Sequence, residues 1–220
     1  MLAYGAFPVK DPETCKIRSE MRILRHREPW SPSSVEATKM TPRFDKLLVL
    51  DLDETLVYAT EEPLDRDADF RAGRYYVYRR PGLESFLARC LQWFKVGVWT
   101  SSSSSYADAV VAALFPGPAS LAFAWSRSRC VRRFDPEQQN YYWIKDLAKL
   151  RKRHPLEKIL MVDDTPRKLV RNYGNHVAVK EWTGDSADRE LSALLSYLEE
   201  LGDVDNFRVV EKRGWRTRIR

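Results

Sequence analysis

Three apolar runs in the chain lack the polar alternation of a half-buried strand, and each stops abruptly on polar residues: 46–51, 95–99 and 158–163. Runs of this kind suit strands covered on both faces, in the interior of a parallel sheet. Helical patterns lie between them. Residues 83–93 place Leu83, Phe86, Leu87 and Leu91 on one face behind Pro81-Gly82, residues 106–115 run to Pro116-Gly117-Pro118, and residues 188–201 are strongly amphipathic. Short strands are expected at 75–78 and 176–179, and short helices at 145–150 and 167–172. Residues 60–73 are polar and turn-rich and read as a connection. This alternation predicts an α/β fold, a central mainly parallel sheet flanked by helices. Residues 116–143 break the pattern. Two aromatic strand-like stretches, 121–125 and 141–144, are separated by Arg127, Arg129, Arg132, Arg133 and the turn Asp135-Pro136. They predict a small antiparallel β insertion, a hairpin or three strands, above the sheet edge.

Outside the region 45–205 the texture differs. Residues 1–44 carry Pro8, Pro12, Pro29, Pro32 and Pro42 among mixed charges and read as an extended arm, with a helical turn possible only at 19–27. Residues 206–220 carry Lys212, Arg213, Arg216, Arg218 and Arg220 and read as a basic, solvated tail. With 220 residues and 44% hydrophobic content, one domain with a full core is expected. The formal charge of +6 suits an anionic substrate but also an ordinary solvated surface. Cys15, Cys90 and Cys130 show neither CxxC nor histidine spacing, which fits reduced thiols rather than zinc. His26, His154 and His176 are scattered without partners. No basic-then-apolar leader and no apolar stretch of about 18 residues is visible, so a cytoplasmic protein without membrane contact is expected.

The chemistry collects at the ends of the three runs. The first ends in Asp51-Leu52-Asp53-Glu54-Thr55, the second in Thr100 and the serines 101–105, the third in Asp163-Asp164-Thr165-Pro166. Parallel strands deliver such residues to the carboxyl edge of the sheet, where open α/β folds bind ligands. Two carboxylates this close repel unless a cation lies between them. The triplet is therefore a Mg²⁺ site with a nucleophilic aspartate, or simply an acidic turn. The serine run is a linker, a helix N-cap or a phosphate-binding turn.

Taken in order, Asp51-x-Asp53-x-Thr55, Thr100, Lys145 and Asp163-Asp164 resemble the four motifs of the haloacid dehalogenase (HAD) superfamily of phosphatases. The flanking stretches DLDETLVYA, YRRPGLESFL, WTSSSSSYAD, IKDLAKL and MVDDTP are similar to the family that dephosphorylates the C-terminal domain of RNA polymerase II, and to its bacterial relatives. The resemblance covers about 46–201. It implies a Rossmann-like HAD core and a Mg²⁺-dependent phosphatase working through an aspartyl-phosphate. Asp51 would be the nucleophile and Asp53 the general acid and base. Mg²⁺ would be held by Asp51, the backbone carbonyl of Asp53 and Asp164. Thr100, Ser101 and adjoining amides would bind the phosphate, and Lys145, oriented by Asp163, would stabilise the transition state, with Thr55 in support. Arg127 matches a substrate-phosphate arginine of that family and is otherwise a surface arginine. Tyr106 matches a substrate-side aromatic and is otherwise a core tyrosine at a helix start. The sequence departs from the family in having Asp163-Asp164 where Asp-Asn is usual, and in its long serine run.

The function implied is phosphomonoester hydrolysis on a phosphoprotein or phosphopeptide, since a small insertion leaves the site open to a macromolecule. The alternatives are a polynucleotide 3′-phosphatase drawing on the basic tail and arginine-rich hairpin, a small-molecule phosphatase, and a non-enzymatic binding module. The intact Asp51, Asp53, Lys145, Asp164 set argues against the last.

Overall fold

The computed structural model describes residues 41–117 and 120–218. The arm up to residue 40, with its 19–27 turn, Cys15 and His26, lies outside them, as do Pro118 and Arg220. In chain order, β1 (Leu47–Leu50), β2 (Val57–Thr60), β3 (Phe70–Ala72) and β4 (Tyr75–Arg79) precede helix α1 (Leu83–Trp93). Then come β5 (Lys95–Trp99), α2 (Ser104–Leu114), β6 (Phe123–Trp125), β7 (Val131–Asp135), β8 (Asn140–Ile144), β9 (Ile159–Asp163), β10 (His176–Ala178) and α3 (Glu190–Gly202).

Five strands form one parallel sheet in the order β10-β9-β1-β5-β6. β1 lies at its centre, with Leu47 opposite both Lys95 and Ile159. All four β1 residues are fully buried, which is why the run shows no alternation in sequence. The alternation reappears in what each residue touches. Leu48 and Leu50 join the core beneath α1 and α3, whereas Leu47 and Val49 join Trp99, Leu147, Met161 and Leu169 on the opposite face. On α1, Leu83, Phe86, Leu87, Cys90 and Trp93 form the buried stripe, and Leu91 is only half-buried at its margin. The left-handed backbone at Gly82 (φ 79°) sets the helix start.

Several elements differ from the pattern-based expectation. The connection expected at 60–73 instead helps build a second sheet, β2-β4-β3, antiparallel. Its strands of three to five residues are too short for alternation to register. Of the expected insertion, only β7–β8 is an antiparallel hairpin. Residues 123–125 leave it and extend the main sheet as β6, parallel to β5. Gly97 makes that possible, because a Cβ there would meet the Phe123 ring at 2.6 Å. The short helices around 147–150 and 166–169 are 3₁₀ turns.

The tail is basic and largely exposed, but it is anchored to the core rather than free. Phe207 and Trp215 are buried, and Trp215 stacks on Tyr197 of α3 with ring centroids 5.3 Å apart and donates to the Ala178 carbonyl at 2.8 Å. Arg216 pairs with Glu190, and the Lys212 ammonium donates to the Phe207 and Val210 carbonyls. The basic residues that looked like a free tail thus satisfy carbonyls and a carboxylate around a buried indole. Among the described residues no helix is long and apolar enough to cross a membrane.

Trp215→Ala should therefore cost about 3–5 kcal/mol of unfolding free energy, measured by urea denaturation. Arg213→Ala, which removes an exposed pair with Glu211, should change it by less than about 1 kcal/mol. Equal effects of the two would show that the tail does not belong to the cooperative core.

Candidate active site

Asp51 follows the last residue of β1. Its backbone N–H still bonds Val162 of β9 at 3.0 Å, so the sheet itself fixes where the side chain begins. The carboxylate is 1% exposed. Its Oδ1 accepts from the Leu52 amide at 2.8 Å and lies 2.8 Å from the Lys145 ammonium; its Oδ2 lies 2.8 Å from the Lys168 ammonium. Lys145 is fully buried and reaches Asp163 Oδ2 at 2.6 Å as well. The β8 end presents Lys145, and the Asn172 side chain, accepting from the Leu147 amide at 3.0 Å, pins the segment that follows. Lys145 is thus the cation between two aspartates that the motif order anticipates, not a solvent-facing helical lysine.

After Asp51 the chain makes a tight loop. Glu54 has a left-handed backbone (φ 58°), its amide bonds the Val57 carbonyl at 2.8 Å, and Leu52 accepts from Leu56 and Val57. This non-glycine residue at positive φ is a local strain, held by the fully buried Arg80. One Arg80 nitrogen donates to the Thr55 carbonyl at 3.0 Å, and two others pair with Asp188 at 2.8 and 2.9 Å. Burial, then the charge of Asp53, push the Glu54 carboxyl up to about 8.

The loop turns Asp53 away from the lysines and into hydroxyls. Its carboxylate accepts from Tyr106 at 2.5 Å, Ser102 at 2.6 Å and Thr100 at 3.3 Å. Burial raises the Asp53 pKa, the Ser102 and Tyr106 hydroxyls draw it part of the way back, and the nearby charge of Asp51 adds to the rise. Burial and the neighbouring Asp53 charge raise the Tyr106 phenol, which keeps it a donor. Thr100 is buried, and its hydroxyl also accepts the Ser102 amide at 3.0 Å, so it does not cap α2; Ser103 occupies the N-cap position. Tyr106 both meets the Tyr75 ring edge-on and binds Asp53.

The third strand end completes the site. Asp163 Oδ1 accepts the Thr165 amide at 2.9 Å. Asp164 is held by the Thr55 hydroxyl at 3.4 Å and the Thr165 hydroxyl at 2.7 Å, while its own amide donates back to Thr55 at 3.2 Å. Oxygens of Asp51, Asp163 and Asp164 lie within 4.8 Å of one another. An all-carboxylate donor set fits a hard divalent cation such as Mg²⁺. The Asp53 carboxylate does not join that cluster; the contribution expected of Asp53 was its backbone carbonyl. Burial would lower the Lys168 pKa, but the charges of Asp51, Asp163 and Asp164 outweigh it and hold the ammonium well above the usual lysine range.

Arg127 stands at the rim. It is exposed, donates to the Ser101 carbonyl at 2.5 Å and lies 5.4 Å from the Trp143 ring centroid. A cavity of about 190 Å³ adjoins it, lined by Ser101, Tyr142, Trp143, Thr165, Arg167 and Lys168. Two contributors escape a motif reading. Ser102 is concealed in a run of five serines. Lys168 sits in Pro-Arg-Lys and looks like a surface base; its one sequence signal is the four-residue spacing from Asp164.

The profile of the NLI interacting factor-like phosphatase family matches residues 46–208. The chain is 33% identical over 179 residues to "Phosphatase Herzog" of Drosophila melanogaster, covering 76% of this chain and 47% of that protein. It is 33% identical over 173 residues to the Homo sapiens "Carboxy-terminal domain RNA polymerase II polypeptide A small phosphatase 1", covering 74% of this chain and 62% of the relative. The chain thus spans between about half and two thirds of the length of these relatives. Among solved structures, the fold matches Fcp1, described as an essential RNA polymerase II CTD phosphatase, with a TM-score of 0.56 at 16% identity over 73% of this chain and 63% of that one. That likeness concerns the fold, an α/β Rossmann-like core of HAD type.

Because the Ser102 and Tyr106 hydroxyls stabilise the ionised Asp53, removing either donor must raise its pKa further. Ser102→Ala and Tyr106→Phe should each move the Asp53 carboxyl titration to higher pH, followed by difference infrared spectroscopy against Asp53→Asn. A shift to lower pH would contradict the hydrogen-bond assignment.

Proposed function

The chain belongs to the NLI interacting factor-like phosphatase family, and from that premise we propose that it is a Mg²⁺-dependent phosphomonoester hydrolase acting on phosphorylated protein through an aspartyl-phosphate on Asp51. The observation that carries this reading is the contrast between two aspartates two residues apart. Asp51 has an ammonium on each oxygen; Asp53 has hydroxyls alone and a raised pKa. Environments that push neighbouring carboxyls apart in this way separate a nucleophile from a general acid.

A carboxylate oxygen of Asp51 attacks phosphorus as the bond to the leaving oxygen breaks, and protonated Asp53 gives that oxygen its proton. Asp53, now ionised, takes a proton from the water that attacks the aspartyl-phosphate, which releases phosphate and restores both carboxyls. Lys145 stays against Asp51 and offsets charge gathering on the equatorial oxygens. Thr100, Ser101 and the amides near them, with Arg127 at the rim, hold the phosphate. Mg²⁺ held by Asp51, Asp164 and the Asp53 carbonyl, with Asp163 alongside, would neutralise the phosphoryl group for attack by a carboxylate.

A phosphopeptide substrate is supported by the name of the human relative and by the small β7–β8 hairpin, whose Tyr142 and Trp143 line the cavity beside Ser101 and Lys168. The cytoplasmic reading rests on the free thiols of Cys90 and Cys130.

Hydrolysis of p-nitrophenyl phosphate tests the reaction. We expect turnover with Mg²⁺, none in EDTA, and a loss on the order of 10³-fold or more in Asp51→Asn. Activity surviving in Asp51→Asn would remove Asp51 as nucleophile. A phosphoserine peptide and a 3′-phosphorylated oligonucleotide, compared by kcat/KM, decide the substrate class, with the peptide expected to win.

The acid role of Asp53 has its own signature. Asp53→Asn should lower kcat/KM, which reports the leaving-group step, by about 10²–10⁴-fold for the phosphoserine peptide and far less for p-nitrophenyl phosphate, because nitrophenolate leaves without a proton. In the native protein kcat/KM for the peptide should fall as pH rises through the Asp53 pKa, since the protonated form is the reactive one and burial carries it to higher pH than an ordinary aspartate. An equal loss of kcat/KM on both substrates would exclude Asp53 as the acid.

A further inference from the structure

Lys168 belongs to none of the four strand-end and helix-start motifs, yet it touches more of the acidic cluster than Lys145 does. It lies in the 3₁₀ turn Pro166–Leu169, and its carbonyl accepts the Lys145 amide at 2.8 Å, so both lysines enter the site from hydrogen-bonded backbone. Its ammonium is 2.8 Å from Asp51 Oδ2, 3.4 Å from Asp163 Oδ1 and 3.4 Å from Asp164 Oδ1. These are the same three carboxylates whose oxygens gather within 4.8 Å as a candidate metal cluster.

We propose that Lys168 is an internal cation that shares the Asp51–Asp163–Asp164 cluster with the divalent metal, holding the carboxylates together when the metal is away and yielding the cluster when it binds. This rests on reading the cluster as the metal site. Magnesium draws carboxylate oxygens to about 2.0–2.1 Å, so an ammonium bridging those oxygens cannot share the same centre. Lys168 has what displacement needs: a flexible four-carbon stem, a side chain 17% exposed where that of Lys145 is fully buried, and a place to go. The cavity of about 190 Å³ that it lines together with Ser101, Thr165, Arg167, Tyr142 and Trp143 adjoins the cluster. A metal ion entering the cluster would move the ammonium towards Ser101, on the side where a phosphoryl group is expected. Metal loading would then also supply a cation for an anionic substrate, and Lys168 acts as a positioning residue for both.

The test is magnesium binding to substrate-free protein by calorimetry, in the native chain, Lys168→Met and Lys168→Gln, with Asp164→Ala, which removes the oxygen donor altogether, as the variant that disables the cluster. Removing a competing charge at this distance should tighten Mg²⁺ binding in both Lys168 variants on the order of tenfold or more. In EDTA both should melt below the native protein, with Mg²⁺ restoring most of the difference, whereas the native melting temperature responds little to the metal. A Lys168→Met protein that folds only with Mg²⁺ present would point the same way, and Lys168→Gln then supplies the affinity. Mg²⁺ affinities equal to native within twofold, or weaker, would overturn the proposal while leaving the metal site in place. Mg²⁺ binding to none of the proteins, with native indistinguishable from Asp164→Ala, would instead bring down the metal reading itself.

Discussion

Three carboxylates converging at the buried carboxyl edge of a parallel sheet are the constraint around which this molecule is arranged. Asp51, Asp163 and Asp164 are placed by β1 and β9, which pair residue for residue, so the backbone leaves them little freedom to move apart. Taking such charges out of water is tolerable only when each is paired and hydrogen-bonded. The compensation is supplied close at hand: Lys145 from the β8 end, Lys168 from the turn after β9, the Leu52 and Thr165 amides, and the hydroxyls of Thr55 and Thr165. Much of the surrounding structure serves to deliver these donors, including the Arg80–Asp188 pair beneath the Thr55 carbonyl.

The same constraint explains why Asp53 behaves differently from its neighbour. The left-handed turn at Glu54 carries the chain off the sheet edge, and the α2 side of the site offers Asp53 uncharged hydroxyls in place of ammonium groups. A hydroxyl stabilises an ionised carboxyl, but less than a full charge does. Burial therefore prevails at Asp53, where its pKa is raised. One loop of five residues thus yields two carboxyls of unlike character, the requirement for a reaction that needs a nucleophile and a proton donor side by side.

The parts of this arrangement legible in sequence were those written by strong local pattern. The central strands announced themselves as unbroken apolar runs because both faces of the sheet are covered, and their ends marked the carboxyl edge. Lys145 became legible only through the order of the motifs around it. What pattern missed was decided by tertiary contact. β6 is three residues long, and its place in the main sheet depends on Gly97 leaving room for Phe123. The tail looked solvated because Lys212, Arg213, Arg216 and Arg218 dominate its composition, whereas two aromatics, Phe207 and Trp215, decide where it lies. Ser102 was hidden because five serines in succession look alike until the fold aims one of them at Asp53.

Lys168 stayed hidden for a related reason, and charge balance gives it a place in the argument. The usual Asp-Asn of the fourth motif is Asp163-Asp164 here, which adds a carboxylate at a point already crowded with negative charge. Four residues on, in a turn that brings it back over the same strand end, Lys168 adds an ammonium 3.4 Å from that extra carboxylate. The added negative charge is therefore met by a positive one supplied within the same short segment. Asp164 and Lys168, four residues apart, lie within ion-pair distance. Each looks accidental when read alone, and the distance between them makes them a pair.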